Sequence, residues 1–266
     1  MTSQPTPESQ PAKVESKFPR DKRFDARFDE VKDLIWYPYV GKRFGENGVR
    51  VMVYGHNAYL NAQDYEKTKK KWVSDKAEWA NCIEEYTYEH GWYTKAFRYF
   101  IKGAVGLKSD FFGYGERISD PSILERVDSF IEQIAWINFI QDAVKSDKAL
   151  AYVEPEQIER SIKINREILK ILNVTHCICW GKPTYEYVCS RSSFNILSEK
   201  HEGKRGFSSC VIDVGGGKTM RCLKTYHPSM PGFGPFSDAT FSIISGFLNA
   251  PFTEVAPQPQ PISIQP

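Results

Sequence analysis

Gly48-Val-Arg-Val-Met-Val-Tyr-Gly-His-Asn-Ala-Tyr59 is the stretch from which the fold of this 266-residue chain can be predicted. Its first half is apolar and rich in β-branched residues, which is typical of a short strand buried on both faces of a parallel sheet with flanking helices. Gly55 ends the strand, and polar side chains follow it. Ligands bind just outside the carboxyl ends of the strands in open α/β sheets. We therefore predict an α/β fold with a functional site that includes Gly55, His56, Asn57 and Tyr59.

A second strand-like run, residues 221–226, leads into His227-Pro228-Ser229. Before it stands Gly215-Gly216-Gly217-Lys218-Thr219, which is similar to part of a phosphate-binding loop. That loop requires a glycine where this chain has Ile212, and no helical pattern follows it. We interpret the glycines as a hairpin turn that leads into the strand before His227.

The segments Gly55-His56-Asn57-Ala58-Tyr59 and His227-Pro228-Ser229 together resemble the two signature loops of the uracil-DNA glycosylase superfamily. The first loop of that family reads Gly-Gln-Asp-Pro-Tyr or Gly-Met-Asn-Pro-Gly, and the second begins His-Pro-Ser or Asn-Pro-Ser. The match aligns Asn57 with the residue that positions water, and Tyr59 with a Tyr that lies against C5 of the pyrimidine. The chain departs from the pattern at Ala58, where the family has Pro, and at residues 230–234, where Met-Pro-Gly-Phe-Gly replaces Pro-Leu-Ser.

This resemblance implies a three-layer α/β/α sandwich around a central, mostly parallel, four-stranded sheet. The single glycosylase-like domain is predicted to span residues 21–250. Residues 1–20 and the Pro-rich residues 251–266 lack hydrophobic periodicity, so both ends are predicted to be disordered.

The resemblance also implies a DNA glycosylase that hydrolyses the N-glycosidic bond of a flipped uracil or modified pyrimidine and leaves an abasic site. In this interpretation, a neutral His227 donates a hydrogen bond to O2 of the pyrimidine, Asn57 orients a water molecule toward C1′, and His56 is a substitute base. The other residues that the match assigns to substrate binding are Gly55, Tyr59 and Ser229.

Asn138 stands in the apolar run Trp136-Ile137-Asn138-Phe139-Ile140. The family has, at the end of a corresponding strand, an Asn that hydrogen-bonds the Watson–Crick edge of the pyrimidine, and Asn138 resembles it. An amide suits this task because it offers a donor and an acceptor side by side. The alternative is a polar residue on the surface of a helix, because the apolar residues from Ile123 onward have helical spacing.

Lysines and aromatic residues are interleaved between residues 61 and 103. One interpretation is two helices whose aromatic stripe faces the core and whose lysines face solvent. The other is that the basic run grips phosphates, because basic groups interleaved with aromatic residues suit single-stranded or flipped nucleic acid. The predicted DNA-binding residues of this run are Lys67, Lys69, Lys70 and Lys71.

The loop after Ser229 is predicted to fill the space that a flipped base leaves in the duplex. Relatives insert an apolar residue there, commonly Leu, and unstacking the base costs a few kcal/mol. Met230 and Phe233 are the candidate wedge residues. The alternative is that these side chains pack on the core.

Composition limits the class of protein. The chain is 41% hydrophobic, which suffices for a core, and its 35 Lys and Arg against 33 Asp and Glu mean that DNA binding needs a local basic patch. The six cysteines lack C-x-x-C spacing, which indicates reduced thiols in a cytoplasmic protein without a metal site or cofactor. No run approaches the ~18 apolar residues of a membrane-spanning helix. DNA is the predicted partner of a monomer that does not bind membranes.

Periodicity predicts further elements. Residues 24–35, 155–172 and 241–248 have the spacing of helices, and residues 175–181 read as a strand in which Gly181 permits the following turn. His176, Cys177 and Cys179 within that strand are interpreted as core residues, because further metal ligands at ordinary spacing are missing.

Two alternative functions stay open from the sequence. The first is an antiviral defence glycosylase that excises bulky modified cytosines from phage DNA, favoured by the loss of Pro at Ala58 and by the aromatic segment 61–103. The second is a relative that binds nucleic acid without hydrolysis, favoured by Asn57 in the place of a carboxylate.

Overall fold

The computed structural model describes residues 20–60, 65–86, 100–101, 103–106, 121–145, 153–191, 194–201, 206–228 and 238–250. The predicted residues Ser229, Met230 and Phe233 lie outside these ranges, as do residues 1–19 and 251–266 of the two predicted tails. Arg20, at the end of the first tail, is buried and forms an ion pair with Asp25.

A seven-stranded mixed sheet forms the centre of the fold, in the order β1-β4-β2-β6-β9-β8-β7. A separate two-stranded sheet, β3-β5, follows the ends of two of these strands. The strands are β1 (Tyr39–Val40), β2 (Val51–Gly55), β3 (Ala58–Leu60), β4 (Ile134–Asn138), β5 (Ala143–Lys145), β6 (His176–Trp180), β7 (Asn195–His201), β8 (Ser208–Gly215) and β9 (Lys218–Thr225).

The prediction of an α/β fold is confirmed, whereas the prediction of a four-stranded sheet is wrong. Four strands, β4, β2, β6 and β9, run parallel to one another. Strands β1, β7 and β8 add antiparallel pairs at the two edges. Two of the extra strands, β7 and β8, arise because the tight turn at Gly215, Gly216 and Gly217, all with positive φ, folds β8 back onto β9 and so offers β7 an edge to pair with.

The inner strands are apolar because they are covered on both sides. Every residue of β2, β4 and β6 is buried, and for β2 the opening stretch predicted this. Within β6, consecutive residues point to opposite faces of the sheet. The ring of His176 contacts that of Phe247 on one face, with centroids 5.4 Å apart, and Cys177 faces the other side.

The described helices follow the apolar periodicity, with one exception near the start of the chain. They are a 3₁₀ turn (Lys22–Phe24) and α1 (Asp25–Asp29), α2 (Tyr65–Ser74), α3 (Lys76–Tyr86), α4 (Pro121–Gln133), α5 (Pro155–Leu172), α6 (Lys182–Cys189) and α7 (Asp238–Asn249). Helix α5 has the predicted bounds, because Glu154 and Gln157 form a capping box at its start and Asn173 ends it at φ 48°. The predicted helix 24–35 ends early at Asp29, and the predicted strand 175–181 and final helix are confirmed.

The aromatic segment contributes to the core. Trp72 of α2 and Trp79 of α3 are buried, and both rings contact Trp36. This confirms the interpretation that the aromatic stripe faces inward, for the part of residues 61–103 that the structure describes. Across the described ranges, no helix combines the length and apolar character needed to cross a lipid bilayer.

Candidate functional site

The four parallel strands bring the predicted loops to one edge of the sheet. Strands β2, β4, β6 and β9 end at Gly55, Asn138, Trp180 and Thr225, and these ends point the same way. Strand β2 has β4 on one side and β6 on the other, so the chain leaves neighbouring strand ends in opposite directions. Such a switch point opens a crevice in which ligands of α/β proteins bind.

Asn138 is the last residue of β4, where it pairs with Gly55 across the sheet. The alternative of a polar residue on a helix surface is therefore wrong, because α4 ends at Gln133 and only 3% of Asn138 is exposed. The amide of Asn138 lies directly against Gly55. A Cβ atom added at position 55 would stand 2.1 Å from Asn138 Oδ1, so only glycine leaves room for the amide in this place.

Three buried amide atoms at this edge have no protein partner in the described part of the chain. They are Oδ1 of Asn57, which is 7% exposed, Nδ2 of Asn138 and Oε1 of Gln141. Buried polar atoms nearly always have a hydrogen-bond partner, so each exception requires an explanation. Here two unpartnered acceptors and one unpartnered donor occur at or just after the ends of adjacent strands.

His56 is held by helix α6, which begins just after the end of β6. Its Nδ1 lies 3.1 Å from Oγ1 of Thr184, and its ring stacks on Tyr187 at a centroid distance of 6.1 Å. Burial lowers the pKa of His56 below its ordinary value. The imidazole is therefore neutral at neutral pH.

His227 lies two residues beyond the end of β9 and contacts the ring of Trp180 edge to face, at 5.6 Å between centroids. Burial, together with the nearby His56, lowers the pKa of His227 to about 4. A neutral imidazole carries one N–H donor and one acceptor nitrogen. His227 is therefore neutral at neutral pH, whereas its role as a donor to a base stays a prediction.

The lowered pKa of His227 predicts how the free energy of unfolding depends on pH. Its ordinary pKa is 6.5, so between pH 6.5 and about 4 the unfolded chain holds a proton on this group that the folded chain does not. The free energy of unfolding should therefore fall as the pH is lowered through this window. Near pH 5, the wild-type chain should take up about one proton at His227 when it unfolds, and the His227→Asn variant should not. The slope of the unfolding free energy against pH measures this number of protons. An unchanged slope would contradict a neutral His227.

The structure also shows neighbours that the sequence did not indicate. Thr184 and Tyr187 hold His56, and Gln141 donates from Nε2 to the backbone oxygen of Asn138 at 3.3 Å. For Thr184 and Tyr187 the sequence offered only an indirect signal, through Gly181, which permits a turn before the helix that carries them. In the structure Gly181 adopts φ 96° at the turn from β6 into α6. Tyr59 lies in β3, paired with Val144, and the position of its side chain lies outside the described structure.

The basic run lies on α2, beside the two-stranded sheet. Lys69 Nζ is 2.7 Å from Asp142 Oδ1 and 3.2 Å from the hydroxyl of Tyr65, and Lys71 pairs with Glu78. Lys67 and Lys70 are exposed and form no ion pair within the described residues. The structure therefore gives Lys69 an internal partner that the sequence did not predict.

Metal ligands do not gather at this edge within the described ranges. The described residues contain one group of three or more Cys, His or acidic side chains close enough to share an ion, and it consists of Cys189, Cys210 and Cys222. His176 is fully buried against Thr175 and Phe247, which confirms it as a core residue.

A scan of protein-family models, a search of curated proteins and a search of solved structures each found no match to this chain.

Proposed function

We propose that this protein is a DNA glycosylase, which hydrolyses the N-glycosidic bond of a pyrimidine flipped into the crevice at the ends of β2, β4, β6 and β9. The observation that carries the proposal is the meeting at this edge of a neutral imidazole, His227, with the unpartnered amide atoms of Asn57 and Asn138. A flipped base offers the acceptors and donors that these atoms lack.

The chemistry requires stabilisation of two developing charges. Bond breaking leaves positive charge on the sugar and negative charge on the departing base, and donors already in place for that negative charge lower the barrier. His227 supplies such a donor without carrying a charge itself. A neutral donor suits this role because its hydrogen bond strengthens as charge builds on O2 of the base.

Asn57 orients the attacking water molecule in this proposal. Its Oδ1 is buried and free to accept a hydrogen from a water molecule that faces C1′. An amide does not take up a proton as a carboxylate does, so the reaction relies on leaving-group stabilisation and is slower than with Asp. His56, neutral and held by Thr184, is the group next to Asn57 that is able to accept the proton of the water.

Asn138 reads the base in this proposal. Its unpartnered Nδ2 donates to the edge of the pyrimidine, while contact with Gly55 fixes the orientation of the amide. Trp136, whose ring lies 3.7 Å from the position of a Cβ at Gly55, and Trp180 supply an apolar wall. A site built to hydrogen-bond its substrate rejects analogues that leave its buried groups unpaired.

Incubation of the purified chain with a panel of DNAs tests the proposal. The panel contains uracil, thymine opposite guanine, and bulky modified cytosines, each in single and double strands, and alkali then reveals abasic sites. Cleavage confined to bulky modified cytosines would assign the defence role. Tight binding without cleavage of any member would favour the non-catalytic alternative, for which the observation is that an amide occupies position 57.

DNA binding by helix α2 is tested through salt dependence. Changing Lys67 and Lys70 together to Gln should reduce the slope of log affinity against log salt by about 1.4 to 1.8, the range for two lost phosphate contacts. Lys69→Gln is the matched control, because the ion pair with Asp142 already occupies that ammonium group. It should leave the slope unchanged and lower the melting temperature. Equal slopes for the double variant and wild type would assign Lys67 and Lys70 to a solvated helix face.

A further inference from the structure

A cluster of thiols lies on the side of the sheet that faces α6. The sequence has six cysteines, and the five whose side chains the structure describes are all buried. They come from β6, α6, β8 and β9, and they are Cys177, Cys179, Cys189, Cys210 and Cys222. The pairing of β6 with β9 and of β9 with β8 places Cys177 opposite Cys222 and Cys222 opposite Cys210.

Three of these thiols converge on one point. The sulfur atoms of Cys189, Cys210 and Cys222 all lie within 4.8 Å of one another, and those of Cys189 and Cys210 are 3.3 Å apart. Cys177 is hydrogen-bonded to Cys222, but its sulfur lies outside the group of three. Cys179 is 3.6 Å from Cys177 and lies outside the group of three.

These distances suit a tetrahedral metal ion. Zinc binds thiolates at about 2.3 Å, which separates the sulfurs of a tetrahedral site by about 3.8 Å. The separation of Cys189 from Cys210 is 3.3 Å and no pair of the three sulfurs is more than 4.8 Å apart, so small side-chain movements would place all three around one ion. Thiolates select soft or borderline ions such as Zn²⁺ over Mg²⁺ and Ca²⁺.

Charge favours a divalent ion at this place. Three thiolates and one Zn²⁺ leave a single negative charge in a buried site, whereas a monovalent ion leaves two. Tyr185 lies beside the three thiols, and the ammonium group of Lys224 is 5.6 Å from the centre of its ring. A positive charge is therefore close to the cluster.

We propose that Cys189, Cys210 and Cys222 bind one Zn²⁺ ion as three thiolate ligands, with a water molecule in the fourth position. Each thiol that coordinates the ion releases its proton to solvent, so loading is coupled to folding and to pH. The ion joins the end of α6 to β8 and β9. Because α6 also carries Thr184 and Tyr187, which hold His56, the zinc would fix the helix that orients this side chain. The zinc proposal does not depend on the glycosylase activity.

Metal analysis of the full-length chain tests the proposal. The chain is purified under reducing conditions, stripped by unfolding with a chelator, and refolded with Zn²⁺ alone or with Co²⁺ alone. We expect one Zn²⁺ per chain after removal of free metal. In the cobalt form we expect thiolate-to-cobalt charge-transfer absorption in the near ultraviolet with the visible bands of a tetrahedral site.

Single variants identify the ligands. Cys189→Ala, Cys210→Ala and Cys222→Ala should each lose stoichiometric Zn²⁺ and the charge-transfer absorption. Cys179→Ala is the matched control, since it removes an equally buried thiol from the same cluster, and it should keep both.

Several results would overturn the proposal. They are no stoichiometric Zn²⁺ in the refolded wild-type chain, iron with inorganic sulfide in its place, or full Zn²⁺ content in a folded variant that lacks one of the three cysteines. The wild-type measurement decides the question even if a variant fails to fold.

Discussion

Replacing Asn57 with Ala should abolish base excision. The variant loses Oδ1, the acceptor that orients the attacking water in the proposed mechanism, while its small side chain still fits a position that is only 7% exposed. Single-turnover rates on single-stranded DNA report the chemical step without the cost of base flipping. The melting temperature should stay close to that of the wild type.

Asn57→Asp is the informative companion variant. It restores the carboxylate that the family's fast members have, so it should retain or increase the excision of uracil. If Asn57→Ala excises bases at the wild-type rate, the alignment of Gly55-His56-Asn57 with the family loop is wrong.

Replacing His227 with Ala should lower the single-turnover rate at least ~100-fold, the range for loss of one donor to developing negative charge. DNA affinity should change little, because the hydrogen bond to O2 gains its strength in the transition state. His201→Ala is a control, since His201 is an exposed residue of β7, an edge strand that β8 separates from β9. A rate for His227→Ala within threefold of the control would remove His227 from the mechanism.

Strands β2 and β6 and helix α5 could be predicted because local sequence determines them. The apolar run before Gly55 indicates a buried strand by itself, and the capping residues of α5 determine its ends. Asn138 had no such signal. The apolar spacing continues from α4 into β4 without a proline or glycine, so the boundary at Gln133 depends on pairing with β2, which is tertiary information.

The features that the sequence did not reveal are those made by distant segments. The ion pair of Lys69 with Asp142 joins residues 73 positions apart, and the three clustered thiols come from one helix and two strands. Their spacing in the sequence matches no metal-binding motif, because the sheet, and not a local loop, brings them together. The seven-stranded sheet was missed because every residue of β7 is exposed. The strand therefore lacks the apolar face by which a strand is predicted from sequence.

Intact-mass measurement of an oligonucleotide that contains a single uracil tests the central claim most directly. After incubation with excess protein, the account predicts that the oligonucleotide loses the mass of the base and gains that of a hydroxyl group, and that free uracil appears in equal amount. The same product from a modified pyrimidine, with uracil left intact, would keep the mechanism and change the substrate. An unchanged mass for every pyrimidine in the panel, with the chain folded and bound to the DNA, would contradict the proposal that this protein cleaves the glycosidic bond.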